Sequence, residues 1–229
     1  MHILFWILTG VAAYLLGSIP FGLLIAKSRG VDIRAVGSKN IGATNVFRCV
    51  GKGPGIAAFA LDAGKGFVAA FFLPRLVALA LGVDVSTFNP QPSALFAGAC
   101  AVVGHNWTCF AGFKGGKGVA TSLGLLLGIV PFGALVALGV WVVVVLISHY
   151  VSLASMVAAA ALGVSVWFLY PQTVWLPAVV TLLALLVIAK HHANIHRLLN
   201  GTENRFSFGS ANKANKCEKG SANDANGRE

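Results

Sequence analysis

Long apolar runs alternate with short polar stretches along most of the chain, and this pattern predicts membrane-spanning helices. Seven runs stand out, at residues 3–26, 54–81, 93–110, 119–130, 132–147, 153–169 and 174–189. A helix needs about 20 apolar residues to cross a hydrocarbon core of about 30 Å. The run at 119–130 gives only about 18 Å of helix, so it spans only beside a sloping neighbour. A re-entrant segment there would lower the count of seven.

Composition places the chain among membrane proteins. Hydrophobic residues make up 57% of the 229 residues and charged residues 10%, whereas a soluble domain averages about 25% charged residues. The run at 3–26 lacks a basic start and a small-residue cleavage site, so we interpret it as a retained helix. Residues 1–202 are therefore predicted to form one all-α integral membrane domain. Residues 203–229, rich in Asn, Lys, Gly and Ser, are predicted to be a disordered tail.

Positive charge lies between the apolar runs and predicts the orientation of the chain. The net charge is +10, and cytoplasmic loops of membrane proteins carry an excess of Lys and Arg. Assigning the basic loop at 27–52 to the cytoplasm also assigns Lys114, Lys117, Lys190 and Arg197 there, and leaves Arg75 on the other side. This predicts seven spans with the N-terminus outside and the C-terminus cytoplasmic. The rule accounts for the charge without nucleic acid as a partner.

Two glycine-rich basic segments have a composition that the orientation rule does not explain. The first is GSKNIGATN at 37–45, followed by Arg48, and the second is KGGKG at 114–118. Glycines before a helix let an anion approach its free N–H groups, and Lys117 adds a full charge. The second segment is not a nucleotide-binding P-loop, because its first glycine and its Ser or Thr are missing. An ordinary polar loop and a flexible turn with topogenic lysines remain alternatives.

Further polar residues lie in or beside the predicted spans. Asp62 and Lys65 are three residues apart within the second run, so they can pair with each other on one helix face. His105 and Asn106 precede the second glycine-rich segment and are placed to anchor its turn. Structural and catalytic roles remain open for these residues, since ionisable groups in a span usually face a partner or a cavity.

Two more sets of polar residues lie at the cytoplasmic ends of the last predicted spans. His191 and Asn194 share a helix face at i, i+3 and can hold a small polar substrate beside a phosphate pocket. Interfacial histidines that merely suit a headgroup region are the alternative. Ser152 and Ser155 lie at the start of the sixth run, where either can cap a helix.

Common catalytic and metal-binding patterns are missing from the sequence. None of the six histidines begins a His-x4-Asp pattern, and no Gly-x-Ser-x-Gly nucleophile motif occurs. The cysteines lack zinc-site spacing, and the predicted cytoplasmic segments contain few acids. We therefore predict no metal and no cofactor. A reaction at this site needs a substrate that is already activated.

The motifs taken together resemble the PlsY family, the bacterial acyl-phosphate:glycerol-3-phosphate acyltransferases. The resemblance covers about residues 1–205 and rests on GSIPFG at 17–22, GSKNIGATN at 37–45, DAGKG at 62–66, GHNW at 104–107, FKGGKGVAT at 113–121, His191 with Asn194, and NGTE at 200–203. One departure is Lys39, where the family usually has glycine. The resemblance implies transfer of a fatty acyl group from acyl phosphate to the 1-hydroxyl of sn-glycerol 3-phosphate, giving lysophosphatidic acid and phosphate in phospholipid synthesis.

The resemblance also implies roles for individual residues and a place in the cell. The polar pocket for glycerol 3-phosphate would contain Ser38, Arg48, Lys117, His191 and Asn194. The phosphate of the acyl phosphate would be held by Thr44, Asn45 and the backbone of Gly115, Gly116 and Gly118. Apart from the resemblance, we predict that Asn40, Ser152 and Ser155 also bind substrate and that Asp62, Lys65, His105 and Asn106 support the site. The enzyme would be a multi-pass protein of the bacterial inner membrane with a cytoplasmic site, with membrane lipid as a neighbour and no obligate protein partner.

Two functional hypotheses follow from these residues. The first is acyl transfer in which a substrate phosphate oxygen accepts the hydroxyl proton, with His191 as the rival base. The second is a transporter for phosphorylated metabolites, which predicts polar residues near the bilayer midplane and paired repeats. The chain concentrates its polar residues at one face and shows no repeat, which favours the first hypothesis.

Overall fold

The described residues form helices joined by loops and turns. The computed structural model describes residues 1–84 and 90–206. The helices of these two ranges are α1 (His2–Ser18), α2 (Phe21–Ser28), α3 (Ala43–Cys49), α4 (Lys52–Phe71), α5 (Leu73–Ala80), α6 (Pro90–Asn106), α7 (Val119–Ile129), α8 (Pro131–Ser148), α9 (Val151–Leu169), α10 (Trp175–Ala189) and α11 (His192–Leu199). A short 3-10 turn, Cys109–Ala111, follows α6.

Several of these helices have the length and composition of membrane spans. Within the described ranges, four segments are long and apolar enough to cross a membrane: His2–Ser28, Pro90–Ala111, α8 and α9. The bent pairs α4–α5 and α10–α11 raise the number to six if each pair counts as one span. The predicted all-helical membrane fold is therefore confirmed. Seven crossings and the orientation of the termini stay predictions.

The short apolar helix α7 lies inside the bundle. It has 11 residues, or about 16 Å at 1.5 Å per residue, and it packs against α4, α6 and α8. Thr121 and Leu125 are fully buried and Leu126 is nearly so. Because neighbouring helices cover much of α7, its short length is compatible with a place among the spans.

The predicted helix at 3–26 is wrong as a single helix, because the chain breaks between α1 and α2. Pro20 has no N–H to donate, and its ring obstructs a continuous helix. The break leaves backbone carbonyls without helical partners. The Thr108 hydroxyl donates to the Ser18 carbonyl, and the Lys65 ammonium donates to the Ile19 carbonyl at 2.8 Å. The break is therefore where the first span joins α4 and the end of α6.

The other predicted helices also differ from the observed ones in physically understandable ways. The predicted helix at 54–81 bends by 43° between α4 and α5, next to Pro74. Two short helices were not predicted as separate elements: α3 lies within the basic loop at 27–52, and α11 leaves α10 at 52°, although its N-cap residue His191 and Asn194 were expected on one helix face. With 7 and 8 residues, they are too short to show helical periodicity. They orient Arg48 and Asn194, respectively.

Helices α4 and α7 approach so closely that their contact requires glycine on both sides. A Cβ on Gly124 would lie 1.8 Å from the Ala63 carbonyl oxygen, and a Cβ on Gly66 would lie 2.1 Å from the Thr121 carbonyl oxygen. Small residues allow such backbone approach between helices in membranes. This contact fixes the position of α7, whose N-terminal end faces the candidate site.

We expect Gly124→Ala to lower the melting temperature of the detergent-solubilised protein. The added methyl group overpacks the α4–α7 contact, and overpacking costs about 1–3 kcal/mol. Gly64→Ala is the matched control, because a Cβ on Gly64 of α4 meets nothing within 4 Å and alanine favours a helix by up to about 1 kcal/mol. Equal melting temperatures for the two variants would contradict the required contact.

Candidate functional site

Polar residues from distant parts of the sequence line one cavity of about 400 Å³. It is bounded by the loop before α3, by α3 itself, by the N-terminal halves of α4, α7 and α9, and by α11. The predicted site residues that line it are Ser38, Asn40, Thr44, Asn45, Arg48, Asp62, His105, Lys117, Gly118, Ser152, Ser155, His191 and Asn194. The cavity thus brings Arg48, Lys117 and Asn194 together at one end of the bundle.

The loop before α3 is organised around the Asn45 side chain. Its amide nitrogen lies within hydrogen-bond distance of the carbonyls of Ile33, Val36 and Asn40, at 3.0–3.2 Å. Its amide oxygen accepts the Ser38 backbone N–H at 3.0 Å. Because Asn45 is 2% exposed and its polar atoms are engaged by the loop, it acts on the site by shaping this loop. The loop in turn presents Ser38 to the cavity.

Lys39 occupies a strained position in the same loop. Its φ is 57° and that of nearby Gly37 is 59°, which is the left-handed region that costs a non-glycine residue about 1–2 kcal/mol. Glycine adopts this backbone conformation without strain. The lysine keeps the left-handed turn in this chain.

The glycine-rich loop at 114–118 folds back onto the end of α6. The Gly116 N–H donates to the His105 carbonyl at 3.0 Å. A Cβ on Gly115 would lie 2.0 Å from that carbonyl oxygen, and a Cβ on Gly116 would lie 2.1 Å from His105 Nε2. His105 therefore anchors the turn. Gly118, with a φ of 79°, is the glycine of this loop that lines the cavity.

The N-terminal end of α7 opens onto the cavity. Gly118, Val119 and Ala120 all line it. The first N–H groups of a helix have no intrahelical acceptor and carry partial positive charge. With the ammonium of Lys117 beside them, these groups form an arrangement suited to a phosphate or another oxyanion.

Helix α11 and the turn before it supply the opposite wall. The Lys117 ammonium donates to Asn194 Oδ1, which joins the glycine-rich loop to α11. His191 Nδ1 lies 2.7 Å from the Val187 carbonyl. Since a carbonyl only accepts, Nδ1 carries the proton and Nε2 is left as the unprotonated nitrogen of the neutral ring.

Burial shifts the pKa values of Lys117 and His191, which both lie outside the spanning helices. Burial lowers the pKa of Lys117 to about 8, against an opposing contribution from the negative charge of Glu203. Burial, together with the nearby Lys117 charge, lowers the pKa of His191 to about 4. At neutral pH the lysine is therefore largely cationic and the histidine is neutral. Burial likewise lowers the pKa of Arg48.

Glu203 is a residue of this site that the sequence reasoning missed. It was assigned to the disordered tail, yet its side chain is 6% exposed and lines the cavity. The chain remains packed onto the bundle as far as Phe206, whose N–H donates to the His149 carbonyl at 2.6 Å. The sequence did contain a signal, since Glu203 is the only acidic residue between Asp84 and Glu218. The predicted tail from 207 onwards lies outside the described residues.

A buried charged cluster lies beneath the glycine-rich loop. Lys65 Nζ is 2.8 Å from Asp62 Oδ1, as the i, i+3 spacing predicts, and their side chains are 1% and 3% exposed. His105 Nδ1 is 3.5 Å from the same carboxylate oxygen. Because Lys65 also donates to the Ile19 carbonyl, the cluster links α4 to the α1–α2 break and to the end of α6.

An apolar groove of about 120 Å³ adjoins the polar cavity. Its lining comes from α4, α7, α8, α9 and α10 and is apolar apart from Ser122, Ser155 and the Trp141 N–H. The two spaces share the lining residues Phe59, Val119, Leu138, Trp141 and Ser155. Trp141 Nε1 donates to Ser155 Oγ at 3.2 Å, and Ser155 Oγ donates to the Val151 carbonyl at 2.8 Å. The polar atoms at the junction are thus paired with each other.

Comparison with known proteins identifies the family. The sequence model described as "Glycerol-3-phosphate acyltransferase" matches residues 7–201. The chain belongs to the glycerol-3-phosphate acyltransferase family. It is 48% identical over 200 residues to the glycerol-3-phosphate acyltransferase of Geobacter sulfurreducens, which covers 87% of this chain and 96% of that protein. It is 44% identical over 198 residues to the Aquifex aeolicus enzyme, covering 86% and 96%.

Solved structures agree with this family assignment. The crystal structure of PlsY, an integral membrane glycerol 3-phosphate acyltransferase, in its glycerol 3-phosphate form is 42% identical with a TM-score of 0.78. It covers 88% of this chain and 96% of that chain. The lysophosphatidic acid form of PlsY is 41% identical with a TM-score of 0.75, covering 88% and 95%. This chain is therefore an acyltransferase with the integral membrane fold of PlsY.

Not every predicted site residue of this acyltransferase lines the cavity. Gly115 and Gly116 face His105, and Lys65 and Asn106 lie behind the lining. Neither Ser152 nor Ser155 caps a helix, because α9 begins at Val151 with Tyr150 as its N-cap residue and has no side-chain cap. Ser152 instead donates to Glu203 Oε1 at 3.0 Å. The described residues contain no group of three or more His, Cys, Asp or Glu side chains placed to hold a metal ion.

Proposed function

We propose that this acyltransferase moves a fatty acyl group from acyl phosphate to the 1-hydroxyl of sn-glycerol 3-phosphate, releasing lysophosphatidic acid and orthophosphate for phospholipid synthesis. The observation that carries the proposal is the meeting of a cationic cavity with an apolar groove at Trp141 and Ser155. The glycerol 3-phosphate and lysophosphatidic acid forms of PlsY support the acceptor and the product. A donor with an anionic head and an apolar chain fits both halves of the site.

The two reactants are assigned to different parts of the cavity. Ser38, Arg48, Lys117, His191 and Asn194 hold glycerol 3-phosphate, with the guanidinium and ammonium groups on its phosphate. The phosphate of the donor binds where the loop of Asn40, Thr44 and Asn45 approaches the glycine-rich loop and the start of α7. The N–H groups at the start of α7 stabilise that phosphate as it becomes the leaving group. Ser152 and Ser155 lie on the side of the cavity that leads to the apolar groove.

The acyl chain of the donor lies in the apolar groove and enters it from the bilayer. Phe59 of α4 and Leu138 of α8 line the groove and are 42% and 40% exposed, so the groove reaches the outer surface of the bundle between these helices. Because lipid tails are as apolar as the lining of the groove, the chain can pass from the bilayer into the groove without being exposed to water. A lipid product leaves by the same lateral route.

The reaction uses the substrates' own phosphate as the base. The 1-hydroxyl oxygen attacks the acyl carbonyl carbon, the bond from that carbon to the phosphate oxygen breaks, and a phosphate oxygen takes the hydroxyl proton. A phosphate monoester dianion has a pKa of about 6, whereas the pKa of His191 is lowered to about 4. The phosphate is therefore the stronger proton acceptor. No metal is needed in this scheme, because the mixed anhydride is already activated and Arg48 and Lys117 balance the developing charge.

The proposed topology has seven crossings, with α7 as the short one and the N-terminus outside. Lys190 Nζ lies 3.4 Å from the Asn106 carbonyl, so the basic end of α10 adjoins the end of α6 beside the cavity. The positive-inside rule then assigns the cavity to the cytoplasm, where glycerol 3-phosphate is available. The membrane is the bacterial inner membrane, and residues 1–202 with the packed Glu203–Phe206 segment form the catalytic domain.

Purified protein is expected to release orthophosphate and form lysophosphatidic acid from palmitoyl phosphate and glycerol 3-phosphate, at rates that EDTA does not change. Palmitoyl-CoA and palmitoyl carrier protein are expected to give no product. Arg48→Ala is expected to lower kcat/KM by more than about 100-fold, because a buried charge-assisted contact to phosphate is lost. Arg34→Ala is the control, since Arg34 lies in the same loop with its side chain 55% exposed. Comparable turnover with palmitoyl-CoA would overturn the donor assignment.

The His191→Gln variant is expected to keep kcat within about tenfold of the wild type, because an amide can still contact substrate, whereas His191→Ala is expected to lose more. Removal of a general base usually costs about 10²–10⁴ in rate. The measurement is kcat at pH 7 for both variants, with melting temperatures to confirm folding. Losses above about 10³ in both folded variants would make His191 the base.

The pH profile of kcat/KM for glycerol 3-phosphate is expected to fall above about pH 8. Lys117 has a pKa of about 8, so raising the pH through this value removes its charge and weakens phosphate binding. The substrate phosphate titrates near 6 and contributes nothing in this window. Lys117→Arg is expected to lack the alkaline fall, since arginine stays charged. An unchanged fall in that variant would assign it to another group.

A further inference from the structure

The Glu203 carboxylate lies inside the cavity and is held by three side chains from two helices. Ser152 Oγ of α9 donates to Oε1 at 3.0 Å, and Asn194 Nδ2 of α11 donates to the same oxygen at 2.9 Å. Arg197 Nε donates to Oε2 at 2.8 Å. Gly201, with a φ of 68°, turns the chain after α11 so that Glu203 returns to that helix. These contacts give the carboxylate one position.

A carboxylate at this position would weaken the binding of anionic substrates, so its presence in the cavity needs an explanation. Two anionic substrates are assigned to a space that Glu203 lines, and like charges repel more strongly where burial lowers the effective dielectric. Arg197 compensates part of the charge. The contacts of the carboxylate with Ser152 and Asn194 indicate which side chains it positions.

The chemistry of the three groups allows only one orientation of the Asn194 amide. A carboxylate only accepts hydrogen bonds and an ammonium only donates them, whereas an amide does both at different atoms. Asn194 Nδ2 must therefore face Glu203, which turns Asn194 Oδ1 toward Lys117. In the reverse orientation the NH2 group of Asn194 would face the Lys117 ammonium, so that a donor meets a donor. Its oxygen would face the Glu203 carboxylate, so that an acceptor meets an acceptor.

We propose that Glu203 is a positioning residue for acyl transfer, which fixes the amide orientation of Asn194 and through it holds the Lys117 ammonium in the cavity. The proposal rests on the proposed function in that Lys117 and Asn194 contact substrate. Glu203 itself acts through Asn194. The direction of the hydrogen bonds runs from Lys117 to Asn194 and from Asn194 to Glu203.

Replacing the carboxylate by an amide disturbs this sequence of contacts in a defined way. In Glu203→Gln, the side-chain oxygen can accept a hydrogen bond from either Arg197 or Asn194. The NH2 group of the glutamine then faces the remaining one of these two residues, which is also a donor. If the oxygen stays on Arg197, Asn194 must flip and then presents its NH2 group to Lys117. We expect kcat/KM to fall by at least tenfold with little change in melting temperature.

Combining this change with Asn194→Asp provides the decisive test. Asn194→Asp alone places two carboxylates together and is expected to lower kcat/KM by at least 100-fold. In the double variant the introduced amide donates to the introduced carboxylate and keeps its oxygen on Arg197, while that carboxylate still accepts from Lys117. Activity is therefore expected to recover at least tenfold over Asn194→Asp alone. Such recovery is a coupling that independent residues do not show.

Two outcomes overturn the proposal: folded Glu203→Gln with wild-type activity, or a double variant no more active than Asn194→Asp. If Glu203→Gln alone fails to fold, the comparison of Asn194→Asp with the double variant still decides. Arg205→Ala is the matched control, because Arg205 lies two residues further on and donates to the exposed Tyr150 hydroxyl, and its activity should stay within twofold. All rates are measured with whichever acyl donor the wild type turns over, so an incorrect donor assignment leaves this test intact.

Discussion

The site depends on one buried interaction, the contact of Lys65 with Asp62 and with the Ile19 carbonyl. An ionised side chain in a span is costly unless a partner compensates its charge and its hydrogen bonds are satisfied. Lys65 meets both conditions only where α4 lies against the break between α1 and α2. The break itself exposes the Ile19 carbonyl, which accepts the Phe21 N–H at 3.1 Å and the Lys65 ammonium at 2.8 Å. The charge and the break therefore stabilise each other, and together they fix the relative positions of three helices.

The same cluster extends to the glycine-rich loop through His105. Its ring contacts Asp62, and its backbone carbonyl accepts the Gly116 N–H. The loop cannot shift away from this contact without separating groups that lie inside the bundle. Lys117 follows Gly116 directly, so the position of the cation is set from below by α6 and from the side by Asn194. A phosphate site built this way needs little reorganisation when charge develops in the reaction.

Much of the fold and of the site was predictable from sequence where the causes are local. The apolar runs predicted α6 to α10 within a few residues, and the i, i+3 spacing predicted the Asp62–Lys65 pair. The glycine and lysine content indicated an anion site, and the matching cavity contains Arg48, Lys117 and Asn194. The break at Pro20 was missed because a proline within an apolar run does not by itself end a span. Its stability depends on Thr108 and Lys65, which are distant in sequence.

The residues that sequence reasoning misplaced are those whose roles come from tertiary contacts. Asn45 looked like a ligand for phosphate, yet the loop uses its polar atoms. Glu203 looked like part of a polar tail, because Asn, Gly, Thr and Glu are typical of solvated chain. The turn at Gly201 has a local signal in Asn200-Gly201, but the burial of Glu203 also depends on Ser152 of α9, a contact that has no local pattern. The available signals were the NGTE motif at 200–203 and the absence of any other acidic residue between Asp84 and Glu218.

The junction of the polar cavity and the apolar groove determines where the proposed chemistry occurs. In the proposed reaction the donor is an acyl phosphate, polar at one end and apolar at the other, and the proposal assigns its carbonyl carbon to the boundary between the two spaces. There the Trp141 and Ser155 polar atoms satisfy each other, which leaves them no strong demand for water. A hydroxyl held by the cationic wall then competes with fewer water molecules for the activated carbonyl. Selectivity for glycerol 3-phosphate over hydrolysis thus follows from positioning at this boundary.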